Sequence, residues 1–538
     1  MATLAWALAT ERAIGTNHPV LADVVNRPLR QLLSQSGHNP DSNPFPGLFG
    51  PVFNVRAFGA LGDGITNDTP ARDAATAAAL AAGGGIVYFP PGQYLHTTQP
   101  ATLVGTPGII YQGAGRNVTH IVLGTAGLAL FDLVAAARVQ IRDMWIGSAS
   151  ARASGYGLRS INPGYPLTPT AELIVERVTL QNLPTPIHCD NVAQSAFRDV
   201  RYLHSIASAT VGIVCYLIRT VAVRLEDVMI IATTGSFPSD GIRVDSDSDT
   251  VVLHRCEVVL GGNGSGSAFR FMNSVGGSAT GPRLCRLTDC YGENFSTGFQ
   301  INDARDVRLR GCHVANSTLA GFDIEGGDSV TLTDCFAFSN GQHGYAINGG
   351  KGVHLIGCTA TNNSQTTSNT YDGIFLNNAN PTRVIGCRSG DILTTYSNKQ
   401  RRGLSVFTAG HTIIGNDLLG NMTAALADFS GGKNRILDNE GVNSHDQVSA
   451  DRGDTSQTLT VGTDVAVQRW ATTLTANRSV TLSATGAFNG AKFRIVRTGL
   501  GAFTLDVGGL KTIPSATAAF VDVEYDGSAW RLTGYGTL

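Results

Sequence analysis

A short strand-like sequence that ends in cysteine recurs through the second half of the chain. Six copies can be aligned on their last residue, which is Cys256, Cys290, Cys312, Cys335, Cys358 and Cys387. The copies HTIIGN and NRILDN continue the series with Asn416 and Asn439 in the same position. A unit that recurs at intervals of roughly 20 to 35 residues is typical of a solenoid.

A second series lies between these copies. Its members include GFQI at Gly298, GFDI at Gly321, GYAI at Gly344 and GIFL at Gly373. The second and fourth positions are apolar and the third varies, which is the two-residue period of a β-strand with one buried face. We therefore expect positions two and four to point inward and position three to point outward.

Two short strands in each unit exclude a helical repeat and predict an all-β fold, a right-handed parallel β-helix with coils about 4.8 Å apart. The recurring cysteine then falls at one inward position of successive coils. We expect these cysteines to form a buried stack of free thiols, because the nine cysteines are odd in number and contain no CxxC pair.

Composition excludes several other classes of protein. Hydrophobic residues make up 42% of the chain, charged residues 15%, and the formal net charge is −2. This balance argues against disorder and against partners such as nucleic acid or an anionic membrane. The acidic run at Asp245, Asp247 and Asp249 lacks the glycine and glutamate of a calcium loop, since Thr250 and Cys256 stand in those positions. We therefore predict no metal and no cofactor.

Residues 53–95 read FNVRAFGALGDGITNDTPARDAATAAALAAGGGIVYFPPGQYL. The run from Asn67 to Thr69 predicts a helix start, the alanine-rich segment predicts the helix, and Gly83 to Gly85 predict its end. Such a helix can cover the open end of a solenoid.

At these residues the sequence resembles the pectate-lyase superfamily of right-handed β-helices, and with the coils the resemblance spans residues 52–445. This superfamily includes pectin-active enzymes, epimerases and bacteriophage tailspike depolymerases. The resemblance implies a long polysaccharide bound along the flank of the β-helix, a homotrimer, and an extracellular or virion-associated location. The first residues of the chain lack a basic residue before their apolar stretch, so no conventional signal peptide is expected.

Three regions are predicted. Residues 1–51 form a leader with one amphipathic helix and a proline-rich linker. Residues 52–450 form the β-helix with its capping helix. Residues 451–538 contain about seven short alternating segments, which predict a C-terminal antiparallel β-sandwich. This segment resembles C-terminal domains of phage tail proteins, and the resemblance implies a role in trimerisation or sugar binding.

Two carboxylates on one strand are the first catalytic candidates. Asp323 and Glu325 are two residues apart, so they share the outward face at a spacing of about 7 Å. Glycoside hydrolysis uses a carboxyl pair as acid and base, and neighbouring like charges separate the two pKa values. Arg243, Arg270 and Gln300 occupy the same outward position in earlier coils and are predicted to bind sugar. The alternative is a pair of solvated turn carboxylates.

The residue before the glycine gives further candidates. Asp240, His343 and Asp372 occupy it in three coils, where a loop enters a strand, and are predicted to share in catalysis. Polygalacturonases, which are similar β-helix hydrolases, have a comparable Asp-Gly and His-Gly, but their paired Asp-Asp is absent here. Ordinary turns would give the same dipeptides. Tyr345 and Tyr371 adjoin these positions and are predicted to bind substrate.

A long loop supports a rival mechanism. The segment from Ser389 to Arg402 is longer than the equivalent loop of most coils and carries Lys399, Arg401 and Arg402. A uronate lyase needs a cation beside the carboxylate and a base for the C5 proton, which this loop and His343 would supply. The sequence thus favours a polysaccharide depolymerase acting by hydrolysis, with β-elimination and a non-catalytic glycan-binding trimeric spike as alternatives.

Overall fold

The structure is a computed structural model that describes residues 51–105, 108–161, 169–206, 211–233, 238–274, 280–390, 399–430, 433–442 and 448–538. The predicted leader helix lies outside the described residues. Over the described part of the chain, no helix is long and apolar enough to cross a membrane.

The predicted coils are confirmed, because successive strands pair in parallel with the equivalent strand of the next coil. Among the described residues, one face of the β-helix is a 13-stranded sheet. Its strands are Leu103–Gly105, Ala129–Ala136, Tyr156–Ile161, Thr185–Asp190, Ile213–Ile218, Asp240–Asp245, Ser267–Met272, Thr297–Ile301, Phe322–Ile324, Tyr345–Ile347, Ile374–Leu376, Arg402–Val406 and Ala424–Asp428.

The rest of each coil belongs to a 25-stranded sheet that bends around the solenoid. Its described strands are Val52–Asn54, Asp63–Asn67, Gly85–Phe89, Gly92–His96, Ile109–Gly113, Thr119–Leu123, Gln140–Gly147, Thr170–Ala171, Ile174–Gln181, Val192–His204, Val221–Ala232, Val252–His254, Glu257–Leu260, Arg286–Thr288, Tyr291–Glu293, Arg305–Arg310, His313–Ala315, Asp328–Thr333, Phe336–Phe338, Val353–Ile356, Thr359–Thr361, Thr382–Ile385, Arg388–Ser389, Thr412–Ile414 and Arg435–Leu437.

The recurring cysteine marks the corner of this second sheet. The residue just before it has a positive φ in each of the six coils, and these residues are Arg255, Asp289, Gly311, Asp334, Gly357 and Gly386. That left-handed residue turns the chain and directs the following cysteine inward. All nine cysteines are free and buried. The six recurring ones interact side chain to side chain from each coil to the next, which confirms the predicted thiol stack.

Asparagine replaces cysteine in the last two copies and forms a hydrogen-bonded ladder. Asn416 Nδ2 donates to Asn439 Oδ1 at 2.7 Å, and Asn416 Oδ1 accepts from the Cys387 backbone N–H at 2.8 Å. Both amides are buried, so these bonds satisfy groups that would otherwise be costly to desolvate.

Inside the 13-stranded sheet, the second position of each repeat carries an aromatic ring in four consecutive coils. Phe269, Phe299, Phe322 and Tyr345 stack face to face with centroid separations of 4.5, 4.9 and 4.8 Å. Each ring is fully buried or nearly so. The predicted inward position is therefore confirmed, and it fixes which side chains are left to face outward.

The predicted capping helix is present as Thr69–Ala81, after a 3-10 helix at Val55–Phe58. It buries a row of alanines against the first coils, and the buried Arg72 guanidinium lies 4.4 Å from the ring centroid of Phe131. The helix thus covers the apolar interior at the first end of the solenoid.

The C-terminal region also forms two sheets, but its pairing corrects the prediction of an antiparallel sandwich. Its strands are Val448–Asp451, Val467–Trp470, Lys492–Arg497, Ala519–Tyr525 and Trp530–Thr537 in one sheet, and Gln457–Leu459, Arg478–Leu482, Leu505–Val507 and Lys511–Ile513 in the other. The first strands of both sheets pair in parallel, and only the last ones pair antiparallel. From Val448–Asp451 to Leu505–Val507 the chain alternates between the two sheets. Consecutive strands of this stretch therefore lie in different sheets and do not pair.

Candidate functional site

The outward side chains of the 13-stranded sheet form straight files, because the strands pair in parallel register. One file contains Arg243, Arg270, Gln300, Asp323, Ala346, Phe375 and Ser405. The residues two positions further along each strand face the same way and form a second file through Glu325 and Asn348. The two predicted files are therefore present and run side by side, with Asp323 in the first and Glu325 in the second.

Asp323 and Glu325 interact directly. Their side chains share a hydrogen bond, and burial together with the charge of Glu325 raises the pKa of Asp323 to about 7. The two carboxyl groups are thus closer than the 7 Å expected from the strand spacing. Asp323 is half-buried and Glu325 is exposed, so one carboxyl keeps its proton while the other meets solvent.

Amide side chains hold both carboxyl groups. Glu325 accepts hydrogen bonds from Gln300 Nε2 at 3.2 Å and from Asn302 Nδ2 at 2.8 Å. Asp323 Oδ1 accepts one from Asn348 Nδ2 at 3.2 Å. Two donors on Glu325 suit a carboxylate, which can only accept.

The contacts of Asn302 and Asn348 with the acids were not predicted from the sequence. Their alignment with Glu325 in one outward file was the available signal.

A polar chain leads from this pair toward the N-terminal coils. Arg270 Nε donates to Gln300 Oε1 at 2.7 Å, and an Arg270 Nη lies 3.2 Å from the carboxylate of Asp240. One coil earlier, Arg243 Nη2 lies 2.7 Å from Asp245 Oδ2. Both predicted arginines reach the outward face, but each is already neutralised by a carboxylate of the sheet.

Asp240 and Asp372 do not share the open face with the carboxyl pair. Asp240 is buried under Arg270, and that burial raises its pKa. Asp372 is fully buried and accepts two hydrogen bonds from Arg401, at 2.8 and 2.7 Å, and one from Ser405. Arginine side chains cover both carboxylates, so in this structure Asp240 and Asp372 anchor arginines and do not face solvent.

His343 lies nearer to the open face. Its Nδ1 accepts a hydrogen bond from the Asp372 backbone N–H at 3.0 Å, which leaves the ring proton of the neutral form on Nε2. Burial lowers the pKa of His343 to about 4. The ring stacks on Phe375 at 4.4 Å and meets Tyr371 edge-on at 5.2 Å. This arrangement suits a hydrogen-bond donor better than a proton acceptor.

Tyr345 is excluded from the site. Its side chain is 0% exposed, and its hydroxyl donates to the Cys335 carbonyl at 2.7 Å inside the solenoid. The tyrosine occupies the second position of its repeat, which points inward. Tyr371, Lys399, Arg401 and Arg402 are partly exposed, and the Tyr371 ring contacts His343, whereas residues 391–398 of the long loop lie outside the described residues.

Within the stretches that the structure describes, no three His, Cys, Asp or Glu side chains are grouped so that they could hold a metal ion.

Two protein families match the chain. The family described as rhamnogalacturonase A/epimerase, pectate lyase-like, matches residues 52–146. The family described as right-handed beta helix region matches residues 274–440. The first match covers the capping helix and the first coils, and the second covers the coils that carry Asp323 and Glu325.

Among curated proteins, mannuronan C5-epimerase AlgE3 of Azotobacter vinelandii is 49% identical over 76 residues, which are 13% of this chain and 4% of that protein. The chain thus matches only a small part of this relative. Among solved structures, the A-module of mannuronan C-5 epimerase AlgE6 from the same organism has a TM-score of 0.51 at 18% identity, over 72% of this chain and 98% of that one.

Tailspike protein 3 of bacteriophage CBA120 has a TM-score of 0.52 at 14% identity, over 84% of this chain and 72% of that one. At such identities the structural likeness shows the shared fold.

Proposed function

We propose that this β-helix belongs to the pectate-lyase superfamily and is a polysaccharide depolymerase that hydrolyses glycosidic bonds at Asp323 and Glu325. Carbohydrate-active relatives make a polysaccharide the expected substrate. The observation that carries the proposal is the pair itself. Two carboxyl groups in contact, one protonated near neutral pH and one exposed, lie on the outward face of the 13-stranded sheet.

The pair divides the two roles of hydrolysis. Asp323 holds a proton and would give it to the oxygen of the leaving sugar as the glycosidic bond breaks. Glu325, kept as an acceptor by Gln300 and Asn302, would take a proton from the water that attacks the anomeric carbon. A sugar that enters must first separate the two carboxyl groups, because an inverting hydrolase holds them about 6.5–9.5 Å apart.

The neighbouring groups would position the sugar. His343 offers a donor at Nε2, and Tyr371 packs against that ring. Arg270 and Gln300 extend the face toward the N-terminal coils, with Arg243 one coil further. Asp240 and Asp372 act indirectly in this scheme, since they fix Arg270 and Arg401.

A second candidate is β-elimination or epimerisation of a uronate polymer. The observation that favours it is the 49% identity to a mannuronan C5-epimerase over 76 residues. Lys399 and Arg402 lie beside the groove and could neutralise a uronate carboxylate. Against it, Arg401 is committed to Asp372, and His343 already uses its acceptor nitrogen.

The test is a screen of acidic and neutral capsular, exopolysaccharide and plant polymers. Hydrolysis releases reducing ends without ultraviolet absorbance, whereas β-elimination leaves an unsaturated uronate that absorbs. Asp323→Asn and Glu325→Gln should each lower the hydrolysis rate at least 100-fold. Asp328→Asn is the matched control, because this half-buried carboxyl lies on the 25-stranded sheet. Full turnover by both site variants would reject the carboxyl pair, and binding without cleavage would favour a non-catalytic spike.

We also propose a homotrimer and an extracellular or virion-associated location, both of which rest on the likeness to tailspikes. Light scattering should give three times the 56.4 kDa mass of one chain. A monomeric mass would contradict the trimer. The C-terminal sheets from 451 to 538 and the leader at 1–51 are candidates for its contacts.

A further inference from the structure

Beyond the carboxyl pair, toward the C-terminal coils, the outward face becomes aromatic. Phe375 lies two coils after Asp323 in the same file. Its ring is 5.2 Å from that of Phe407, which is 4.7 Å from that of Phe429. We call Phe375, Phe407 and Phe429 the aromatic strip. His343 continues it back toward the acids, because its ring stacks on Phe375.

The strip is open to solvent. Phe407 is 39% exposed and Phe429 is 45% exposed. Single exposed apolar residues are common, but a continuous row of exposed rings that adjoins a polar site is typical of a binding surface. The guanidinium of Arg402 lies 5.2 Å from the ring centroid of Phe429 and borders the strip near its far end.

Along the two outward files themselves, no described residue beyond Asp323 and Glu325, toward the C-terminal coils, is charged, and the Arg402 guanidinium borders the strip only at Phe429. After Asp323 its file continues with Ala346, Phe375, Ser405 and Ala427, and after Glu325 the second file continues with Asn348, Asn377, Phe407 and Phe429. A polymer of uronates would place a carboxylate at each sugar along these files. Flat rings flanked by amides instead suit sugars with an apolar C–H face and hydroxyl edges.

The spacing also suits a glycan. Successive coils rise by about 4.8 Å, so Phe407 lies roughly 14 Å and Phe429 roughly 19 Å beyond the level of Glu325. A pyranose residue in a chain is similar in length to one coil. Sugars that follow one another along the solenoid would therefore meet the rings in turn.

We infer that the aromatic strip binds neutral pyranose residues of the substrate on the C-terminal side of the bond that is cut. The inference rests on the proposed depolymerase function and names its substrate class, a polysaccharide in which neutral sugars occupy this side of the groove. Affinity here comes from stacking and apolar burial.

Affinity electrophoresis tests binding without requiring catalysis. The Glu325→Gln chain is run through native gels cast with galactomannan, with β-glucan or with alginate, which is a polyuronate. We expect at least one neutral polymer to retard the Glu325→Gln chain. The same polymer should retard the Phe407→Ala and Phe429→Ala variants, made in the Glu325→Gln background, at least fivefold less. Phe58→Ala, which removes a ring of 36% exposure on the first coil, should behave like its parent.

Retardation by alginate alone, by none of the polymers, or equally by the Phe407→Ala chain would overturn the inference. Strip-dependent retardation by a polymer that the wild-type chain never cleaves would uphold the strip and reject the hydrolase. The two proposals can therefore fail separately.

Kinetics give a second readout on a polymer that is cleaved. Loss of stacking should raise KM at least fivefold in Phe407→Ala and leave kcat within about twofold, since these rings lie far from the reacting bond. Circular dichroism verifies that each variant is folded. An unchanged KM, or an equal rise in Phe58→Ala, would contradict the assignment.

Discussion

Asp323 keeps its proton at a pH at which an ordinary surface aspartate has lost it. Burial between coils and the charge of Glu325 both disfavour its ionised form and raise its pKa to about 7. Its amide neighbour Asn348 opposes the shift without cancelling it. The residue is thus prepared to act as an acid near neutral pH.

This pKa predicts how the rate depends on pH. If Asp323 must be protonated to act, kcat/KM for hydrolysis should be high below pH 7 and fall about tenfold per pH unit above it. A pH profile on the identified polymer measures this. A rate that rises through pH 7 would assign Asp323 the role of a base.

The same pKa predicts how stability depends on pH. Because the folded chain holds a proton at Asp323 that the unfolded chain releases near pH 4, the free energy of unfolding falls as pH rises from about 4 to about 7. Asp323→Asn removes this penalty, so its Tm should exceed that of the wild type at pH 8 and equal it at pH 4. Equal Tm values at both pH values would show that Asp323 ionises normally.

At the scale of the element, the described end of the long loop carries a buried ion pair to the sheet. Arg401 donates two hydrogen bonds to Asp372, whose side chain has no exposure to solvent. Removal of the Arg401 guanidinium would leave the buried Asp372 carboxylate with only the more distant Arg402, at 3.9 Å, and the Ser405 hydroxyl, which is more costly than loss of a surface pair.

We therefore expect Arg401→Ala to lower the free energy of unfolding by about 3–5 kcal/mol, measured from denaturant melts. The double variant Asp372→Asn with Arg401→Ala should recover part of that loss, because it also removes the stranded charge. A cost below about 1 kcal/mol for the single variant would mean that solvent reaches Asp372.

Period two was sufficient to orient the strands of the repeat. In FDI, it placed Phe322 and Ile324 inside and Asp323 outside, as the structure confirms. The same rule places Tyr345 inside, so its prediction as a substrate ligand was wrong. Period two does not predict the burial of the residues before each glycine, because that burial depends on the arginines that pack over Asp240 and Asp372.

At the scale of the whole molecule, the cysteine thiols should be unreactive in the native protein. All nine cysteines are free and buried, and burial raises the pKa of Cys285 to about 12. A thiol reagent such as Ellman's should therefore react with none of them in the native protein and with nine in denaturant. Fewer than nine after unfolding without reductant would indicate disulfides.

The predicted number of strands in the C-terminal region, about seven, was close to the nine observed, but the direction in which they pair could not be predicted from the sequence. Alternation of polar and apolar residues is the same in parallel and antiparallel strands. Val467–Trp470 pairs in parallel with Lys492–Arg497, across the intervening strand Arg478–Leu482 of the other sheet. Two hairpins near the end join neighbours in sequence, Leu505–Val507 with Lys511–Ile513 and Ala519–Tyr525 with Trp530–Thr537.

The parallel register of the 13-stranded sheet constrains the evolution of inward and outward residues differently. Inward residues such as Phe322 must match the coils above and below, whereas an outward residue such as Ala346 shares its file without supporting it. Descendants of this chain can therefore exchange outer side chains one coil at a time and shift to a different glycan while the scaffold stays intact.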